Sequence, residues 1–177
     1  MIAYLQGITQ QRWSWLLLLV SALFLELCAM VFQHGLGLFP CVMCVYERIA
    51  TMGLMAAALA ALINPKRALF RWLGILIWGY SAVRGFQLSL RHVDYLVNPS
   101  PFNTCSVFPD FPVWLPLDSW APWFFAAYAD CAERQWSFLG WELPQWLVPI
   151  FALYLTTWLV ILIANLAQKG RFGTCVE

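Results

Sequence analysis

Charge is scarce in this chain: Asp, Glu, Lys and Arg together make up 11% of 177 residues, against 62% hydrophobic residues. So little polar surface does not suit a fold surrounded by water, and a mean hydropathy of +0.70 makes lipid the expected solvent. Nothing in a chain of net charge +1 suggests nucleic-acid binding, which would need a concentrated basic face whatever the total, so nucleic acid is not an expected partner. Cysteine is also sparse for a secreted disulfide scaffold, so the six present need another explanation. No small-residue cleavage site with a polar region beyond follows the first apolar run, which is too long for a signal-peptide core, so the N-terminus is expected to be retained. Internal repeats and low-complexity tracts are likewise missing.

Four apolar runs approach the ~20 residues needed to cross a hydrocarbon core about 30 Å thick. They cover about 13–32, 42–63, 69–90 and 146–166. The pattern predicts an all-α membrane protein, a single integral domain over 1–177 built as a four-transmembrane-helix bundle. Its connections are uneven: about 33–41, a short turn at 64–68, and a long stretch over 91–145. Arg12, Lys66, Arg67, Arg71, Lys169 and Arg171 fall on one side of the expected bilayer. The long loop instead holds Arg91 and Arg134 against Asp94, Asp110, Asp118, Asp130, Glu133 and Glu142. Because positive charge accumulates in cytoplasmic connections, both termini are expected inside and both larger loops outside, in the periplasm of a Gram-negative cell. That compartment permits disulfides.

The long loop is broken by Pro99, Pro101, Pro109, Pro112, Pro116 and Pro122, yet it carries Trp114, Leu115, Leu117, Trp120, Trp123, Phe124 and Phe125. These aromatics either form a short interfacial helix near 114–125, where Trp is favoured, or cap the bundle as ordinary packing.

Cys41-Val42-Met43-Cys44 is the strongest local signal. Two intervening residues allow a reversible disulfide and lower thiolate pKa values, although a lone CxxC also fits half a metal site or plain packing. Pro40 ends the short outer loop and the pair opens the second helix, near unpaired backbone N–H groups and the positive end of the helix dipole. Cys41, Cys44 and Arg48 stand at i, i+3 and i+7, in one column on a helix face. An Arg just inside a membrane helix is costly unless it snorkels, pairs or serves a ligand. It either pairs with the adjacent Glu47 or reaches headgroups, or it steadies negative charge on a thiolate or a reduced acceptor beside Cys44.

Cys105 and Cys131 stand 26 residues apart in the long loop, bringing four cysteines to the outer side. An even count there favours pairing. As a static staple the loop pair would contribute roughly 3 kcal/mol or a little more. Beside the CxxC it reads as a relay, whereas a four-thiolate zinc site lacks the short ligand spacing in its second half. No metal is expected. Cys28 lies within the first membrane run and Cys175 in the cytoplasmic tail, away from the outer chemistry, so both are expected to be incidental. Glu26 and Arg84 are intramembrane charges for which structural pairing is expected. His34 and His92 fall at outer helix ends, where a solvated or satisfied histidine is common; His92, next to the long loop, is the one worth testing as a proton carrier.

Taken together, the stretch Phe39-Pro-Cys-Val-Met-Cys-Val-Tyr-Glu-Arg48, with Asn98-Pro-Ser-Pro-Phe-Asn-Thr-Cys105 and Asp130-Cys-Ala-Glu-Arg-Gln-Trp136, resembles the disulfide bond formation protein B family over nearly the whole chain. These are bacterial inner-membrane enzymes that reoxidise the periplasmic disulfide donor DsbA and reduce a quinone. The resemblance implies a protein-dithiol:quinone oxidoreductase that sustains protein disulfide formation, with a DsbA-like thiol oxidase as partner and ubiquinone or menaquinone drawn from the membrane pool. It implies that reduced DsbA attacks the Cys105/Cys131 disulfide, with Cys105 in the mixed disulfide. Cys131 then passes to Cys41 through an interloop disulfide, leaving Cys44 as the thiolate that donates to the quinone. Arg48 matches the family's quinone-site arginine, and Glu47 and His92 match residues near that site. Cys28 and Cys175 stand outside the pattern. DsbA is a strong oxidant at about −120 mV, so its reoxidation needs an acceptor of comparable or higher potential. The rival of vitamin K epoxide reductase type would carry its active CxxC late in the chain rather than at the second helix. A rival of another class, a non-enzymatic metal-binding or structural membrane protein, is separable by metal analysis and thiol counting.

Overall fold

Leucine-rich and alanine-rich runs, bounded by Pro and Asn, set the long helices of the computed structural model, which describes residues 7–172 except 101, 102, 104 and 107, with backbone alone for 168–172. Cys175, and Pro101, Phe102 and Thr104 of the loop motif, lie outside the described residues. Helix α1 spans Arg12–Met30 and runs on through one wide π-helical turn, Val31–Gly35. Helix α2 covers Val42–Ile63, where Asn64 and Pro65 stop it, and α3 covers Ala68–Val97, ending before Asn98 and Pro99. Two single-turn helices follow, α4 at Leu117–Trp120 and α5 at Pro122–Phe125. A small antiparallel ladder, β1 (Ser137–Phe138) with β2 (Trp141–Glu142), turns through Leu139 and Gly140, both at positive φ as a two-residue hairpin requires. Helix α6, Leu143–Phe172, closes the described chain.

α2 lies between α1 and α3, and α6 packs on α3. The core is lined by Trp15, Leu54, Ile75, Trp78 and Phe151, with a stripe of Ala57, Ala58 and Ala61 on α2. Small residues matter here because lipid removes most of the hydrophobic gain from helix association, leaving close van der Waals contact to hold helices together. Gly74 makes the point: a Cβ there would sit 2.8 Å from Ala61 Cβ and 2.9 Å from the Ala57 carbonyl oxygen. Trp158 Nε1 donates to the Ile75 carbonyl at 2.8 Å, and the Trp15 and Trp78 rings meet edge-to-face at 6.1 Å, worth roughly 0.5–1.5 kcal/mol beyond burial.

Outward, α1 and α6 display Leu17, Val20, Phe24, Leu27, Leu153 and Ile163, all exposed. Such contiguous apolar surface is what a lipid-facing helix presents. Three helices, Arg12–Gly35, Val42–Ile63 and Leu143–Ala167, are long and apolar enough to cross a membrane. The chain is thus a predominantly helical membrane protein. α3 falls outside that set because its apolar stretch between Arg71 and Arg91 is diluted by Arg84, Gln87, Ser81 and Ser89.

Two sequence expectations change. The third helix does not stop at residue 90 but continues to Val97, because His92 and Leu96 are buried on the inner face while Arg91 and Asn98 face outward. His92 therefore lies within the helix rather than at its very end. Arg84 is exposed, and its Nη1 donates to the neutral Gln87 at 3.5 Å rather than pairing with an acid.

Candidate functional site

Pro40 and Cys41 fix the start of α2 and also bind the long loop. Cys41 is the N-cap, its Sγ accepting from the Cys44 backbone N–H at 3.3 Å, which satisfies one of the helix's orphan donors. The Pro40 carbonyl accepts from the N–H groups of Tyr128 and Ala129 at 2.9 and 3.3 Å, drawing the chain that leads to Cys131 alongside Cys41. Cys105 and Cys131 form a disulfide. Cys41, Met43 and Cys131 are buried in one cluster, with Cys44, Cys105, Tyr95 and Ala129 packed against it. All four predicted redox cysteines thus come together. Their exposures differ: Cys131 is 2% exposed, whereas Cys105 is only partly buried and lines a cavity of about 310 Å³ with Tyr95, Ser100, Asn103 and Asp130.

Cys41 Sγ lies 2.8 Å from Cys44 Sγ and 3.4 Å from His92 Nε2. The hydrogen bond with Cys44, reinforced by burial, pushes the Cys41 thiol well above the ordinary thiol range. The other ring nitrogen of His92, Nδ1, is 3.2 Å from both carboxylate oxygens of Glu47, and both residues are buried. Glu47 is thus spent on His92.

Arg48 takes other partners. Its Nη1 donates to the Phe124 carbonyl oxygen at 2.7 Å and to Gln33 Oε1 at 2.9 Å, its Nε stands 3.7 Å from Glu26 Oε2, and its guanidinium lies 4.6 Å above the Phe124 ring. The expected pairing with Glu47 is replaced for a simple reason: adjacent residues on a helix point about 100° apart. Glu26, by contrast, has no hydrogen-bond partner for either carboxylate oxygen among the described residues.

These groups line a cavity of about 400 Å³ whose wall includes Cys41, Cys44, Glu47, Arg48 and His92 on one side and apolar residues such as Phe32, Leu147 and Phe151 on the other. An apolar chamber with a few converging polar groups is the usual form of a small-molecule site. Glu26, Gln33 and Phe124 were not singled out as ligands by sequence reasoning. Glu26 and Gln33, seven residues apart on one helix, carried a signal of shared facing. Cys28, expected to stand apart, is on the wall of the same cavity. His34 Nε2 is 3.2 Å from the Trp123 carbonyl oxygen, a satisfied histidine as expected.

The loop aromatics divide between the two roles open to them. Phe125 is buried and Phe124 meets it edge-on with ring centroids 4.7 Å apart, whereas Trp114, Trp120 and Trp123 are exposed.

The sequence model of a family described as "Disulfide bond formation protein DsbB" matches residues 11–161. A protein of Aeromonas salmonicida, described as "Disulfide bond formation protein B", is 56% identical over 171 residues, 97% of this chain and 98% of its own. One from Photobacterium profundum with the same description is 54% identical over 166 residues, 94% of each chain. A third, from Vibrio cholerae, is 49% identical over 170 residues, 96% of this chain and 98% of its own. With a model match over most of its length and relatives covering nearly all of it, the chain belongs to the disulfide bond formation protein B family.

Proposed function

We propose that the chain is a protein-dithiol:quinone oxidoreductase of the bacterial inner membrane, which reoxidises a DsbA-like periplasmic thiol oxidase and delivers the electrons to a quinone. The observation that carries this reading is the position of Cys41, in contact with Cys44 at the cavity wall and packed in one cluster with the Cys105–Cys131 disulfide. Membership of the disulfide bond formation family supports the same direction.

Partly exposed Cys105 is the sulfur open to a partner thiolate. Attack there breaks the Cys105–Cys131 bond, forms the mixed disulfide and frees Cys131 as thiolate. A second partner thiol resolves the mixed disulfide, releasing oxidised partner. Exchange between the loop pair and the Cys41–Cys44 disulfide, through a Cys131–Cys41 bond, then leaves Cys41 and Cys44 as the reduced pair. At each exchange one S–S bond breaks as another forms. Reclosing Cys41–Cys44 needs an oxidant.

The cavity fits one. Its walls are largely apolar, its redox sulfur is at the edge, and Arg48 offers a fixed cation beside Cys44 where negative charge would develop. A quinone bound there supplies the two-electron oxidation and takes up two protons. Arg48, held by Gln33 and Phe124, orients the acceptor, while Glu47 and His92 form the polar wall on the Cys41 side.

In this reading α3 completes the set of four transmembrane helices, both termini are cytoplasmic and both larger loops periplasmic. Exposed Trp114, Trp120 and Trp123 rest α4, α5 and their approach in the bilayer interface. The test is direct: purified protein is given reduced DsbA and a soluble quinone, and quinone absorbance is followed. Thiol-dependent bleaching is expected, and its absence would overturn the proposal.

A further inference from the structure

We propose that the reduced Cys41–Cys44 pair, with His92, is a binding site for a thiophilic divalent cation of the zinc type, and that the cation locks the pair in its reduced form. Cys41 Sγ, Cys44 Sγ and a ring nitrogen of His92 lie within 4.8 Å of one another. In a tetrahedral zinc site with bonds of ~2.3 Å to sulfur and ~2.0–2.1 Å to nitrogen, ligand atoms stand roughly 3.5–3.8 Å apart. The Cys41–His92 separation of 3.4 Å falls just short of that range, and the two sulfurs, at 2.8 Å, need to part by only about 1 Å, a small side-chain rotation.

The second observation concerns orientation. A histidine that ligates zinc nearly always donates its other N–H to a carboxylate, a carbonyl or water, which fixes the tautomer and aims the free lone pair at the metal. Glu47 does this here: both its carboxylate oxygens are 3.2 Å from His92 Nδ1, leaving Nε2 directed at the cysteines. Two thiolates and one imidazole leave the fourth position open to water from the cavity, as in zinc sites with three protein ligands.

Charge and protons balance. Each thiol releases its proton to solvent on ligation, so the two thiolates neutralise the cation; His92 binds as the neutral imidazole and keeps its Nδ1 proton on Glu47. Nothing is oxidised or reduced. The disulfide form lacks both thiolate ligands, so binding is selective for the reduced state, and a bound cation withholds the electron pair that reclosing the disulfide requires. This site depends on the reduced pair alone and not on the identity of the acceptor.

The probe is Cd²⁺, whose thiolate bonds give a charge-transfer absorption in the ultraviolet. The full chain carrying Cys105→Ser and Cys131→Ser, so that no other thiols join from the loop, is titrated in detergent as the reduced and as the oxidised protein. The reduced form is expected to take up one equivalent with two thiolates' worth of absorption, and the oxidised form none. His92→Gln and Glu47→Gln, each checked for native helix content, are expected to weaken binding by roughly 10–100-fold. Equal uptake by the oxidised protein, absence of uptake by the reduced protein, or unchanged affinity in a folded His92→Gln variant would each overturn the site. Because the readout is metal uptake, it stands or falls separately from quinone reduction.

Discussion

Glu26 Oε2 lies 3.7 Å from Arg48 Nε, tying the C-terminal half of α1 to the second turn of α2 at the wall of the cavity. The contact is an ion pair without a hydrogen bond, and it leaves both carboxylate oxygens without a hydrogen-bond donor among the described residues. A buried pair held this loosely contributes mainly by offsetting charge, since desolvation of each ion opposes the attraction.

Glu26→Gln should therefore cost less than the roughly 3–5 kcal/mol typical of breaking a buried pair, because Arg48 keeps its bonds to Gln33 and Phe124. The expected loss is about 1–2 kcal/mol, read as a lower thermal midpoint in detergent. A midpoint equal to that of the unsubstituted protein would mean that the pair carries no stability.

Orientation is tested with reporters. The distribution of Lys66, Arg67, Arg71, Lys169 and Arg171 against the acidic long loop predicts that a fusion after Lys66 or at the C-terminus reads cytoplasmic and an insertion in the long loop reads periplasmic. A cytoplasmic signal from the long loop would invert the arrangement and remove the relay.

Parts of the fold and site were legible in the sequence and others were not, for identifiable reasons. α2 falls at 42–63 as its pattern predicts because Pro40 and Asn64-Pro65 punctuate both ends. The end of α3 is seven residues further than hydropathy suggests, since a half-buried polar turn reads as loop until His92 and Leu96 are seen to face the core. The Cys41, Cys44 and Arg48 column was readable from helical spacing. Their partners were not: Glu26 and Phe124 reach Arg48 from segments 22 and 76 residues away, and only tertiary packing brings them there. The pairing of Cys105 with Cys131 was favoured by an even count of cysteines on the expected outer side and by the place of both in the long loop.

The loop pair offers a trapping experiment. Partly exposed Cys105 meets the partner, while buried Cys131 is the sulfur that attack on Cys105 sets free and that can return to Cys105 to expel the partner. Cys131→Ser leaves Cys105 as a lone thiol, so the covalent complex forms by its attack on the disulfide of oxidised DsbA. The complex should accumulate because Cys131 is no longer there to expel the partner, and it is seen as a non-reducing gel shift that dithiothreitol abolishes. Trapping by Cys105→Ser instead, with none by Cys131→Ser, would reverse the order of the two sulfurs.

Asp94, exposed in the last turn of α3 beyond the apolar run, anchors the approach to Cys105. Its carboxylate accepts from Asn98 Nδ2 at 2.8 Å and Asn103 Nδ2 at 3.1 Å, and these bonds hold its pKa below the ordinary aspartate value. A depressed pKa means the anchoring is complete above the unfolded value of ~3.9 and is lost as pH falls through the folded one. Asp94→Ala should thus speed amide hydrogen exchange at Asn98 and Asn103 at neutral pH, and acidification should loosen the same segment in the unsubstituted protein. Exchange unaffected by the substitution would remove Asp94 as the anchor.

Arg48→Met separates the two half-reactions. Methionine keeps much of the stem but removes the guanidinium that Gln33, Phe124 and Glu26 hold at the cavity wall beside Cys44. Exchange between DsbA and the Cys105–Cys131 disulfide takes place in the loop and should persist for a first turnover. Loss of one charge-assisted contact, about 1.5–3 kcal/mol, should lower quinone-dependent kcat/KM by about one to two orders of magnitude. If the contact acts mainly in binding, the loss falls on KM and raising quinone restores the rate. If it acts on charge that develops during reduction, kcat falls and added quinone does not help. An Arg48 that only joins α1 to α2 makes a different forecast, in which the thermal midpoint drops while the folded protein reduces quinone at the normal rate. Measuring midpoint and quinone kinetics in one preparation distinguishes these outcomes, and normal kinetics with lowered stability would take Arg48 out of the quinone site.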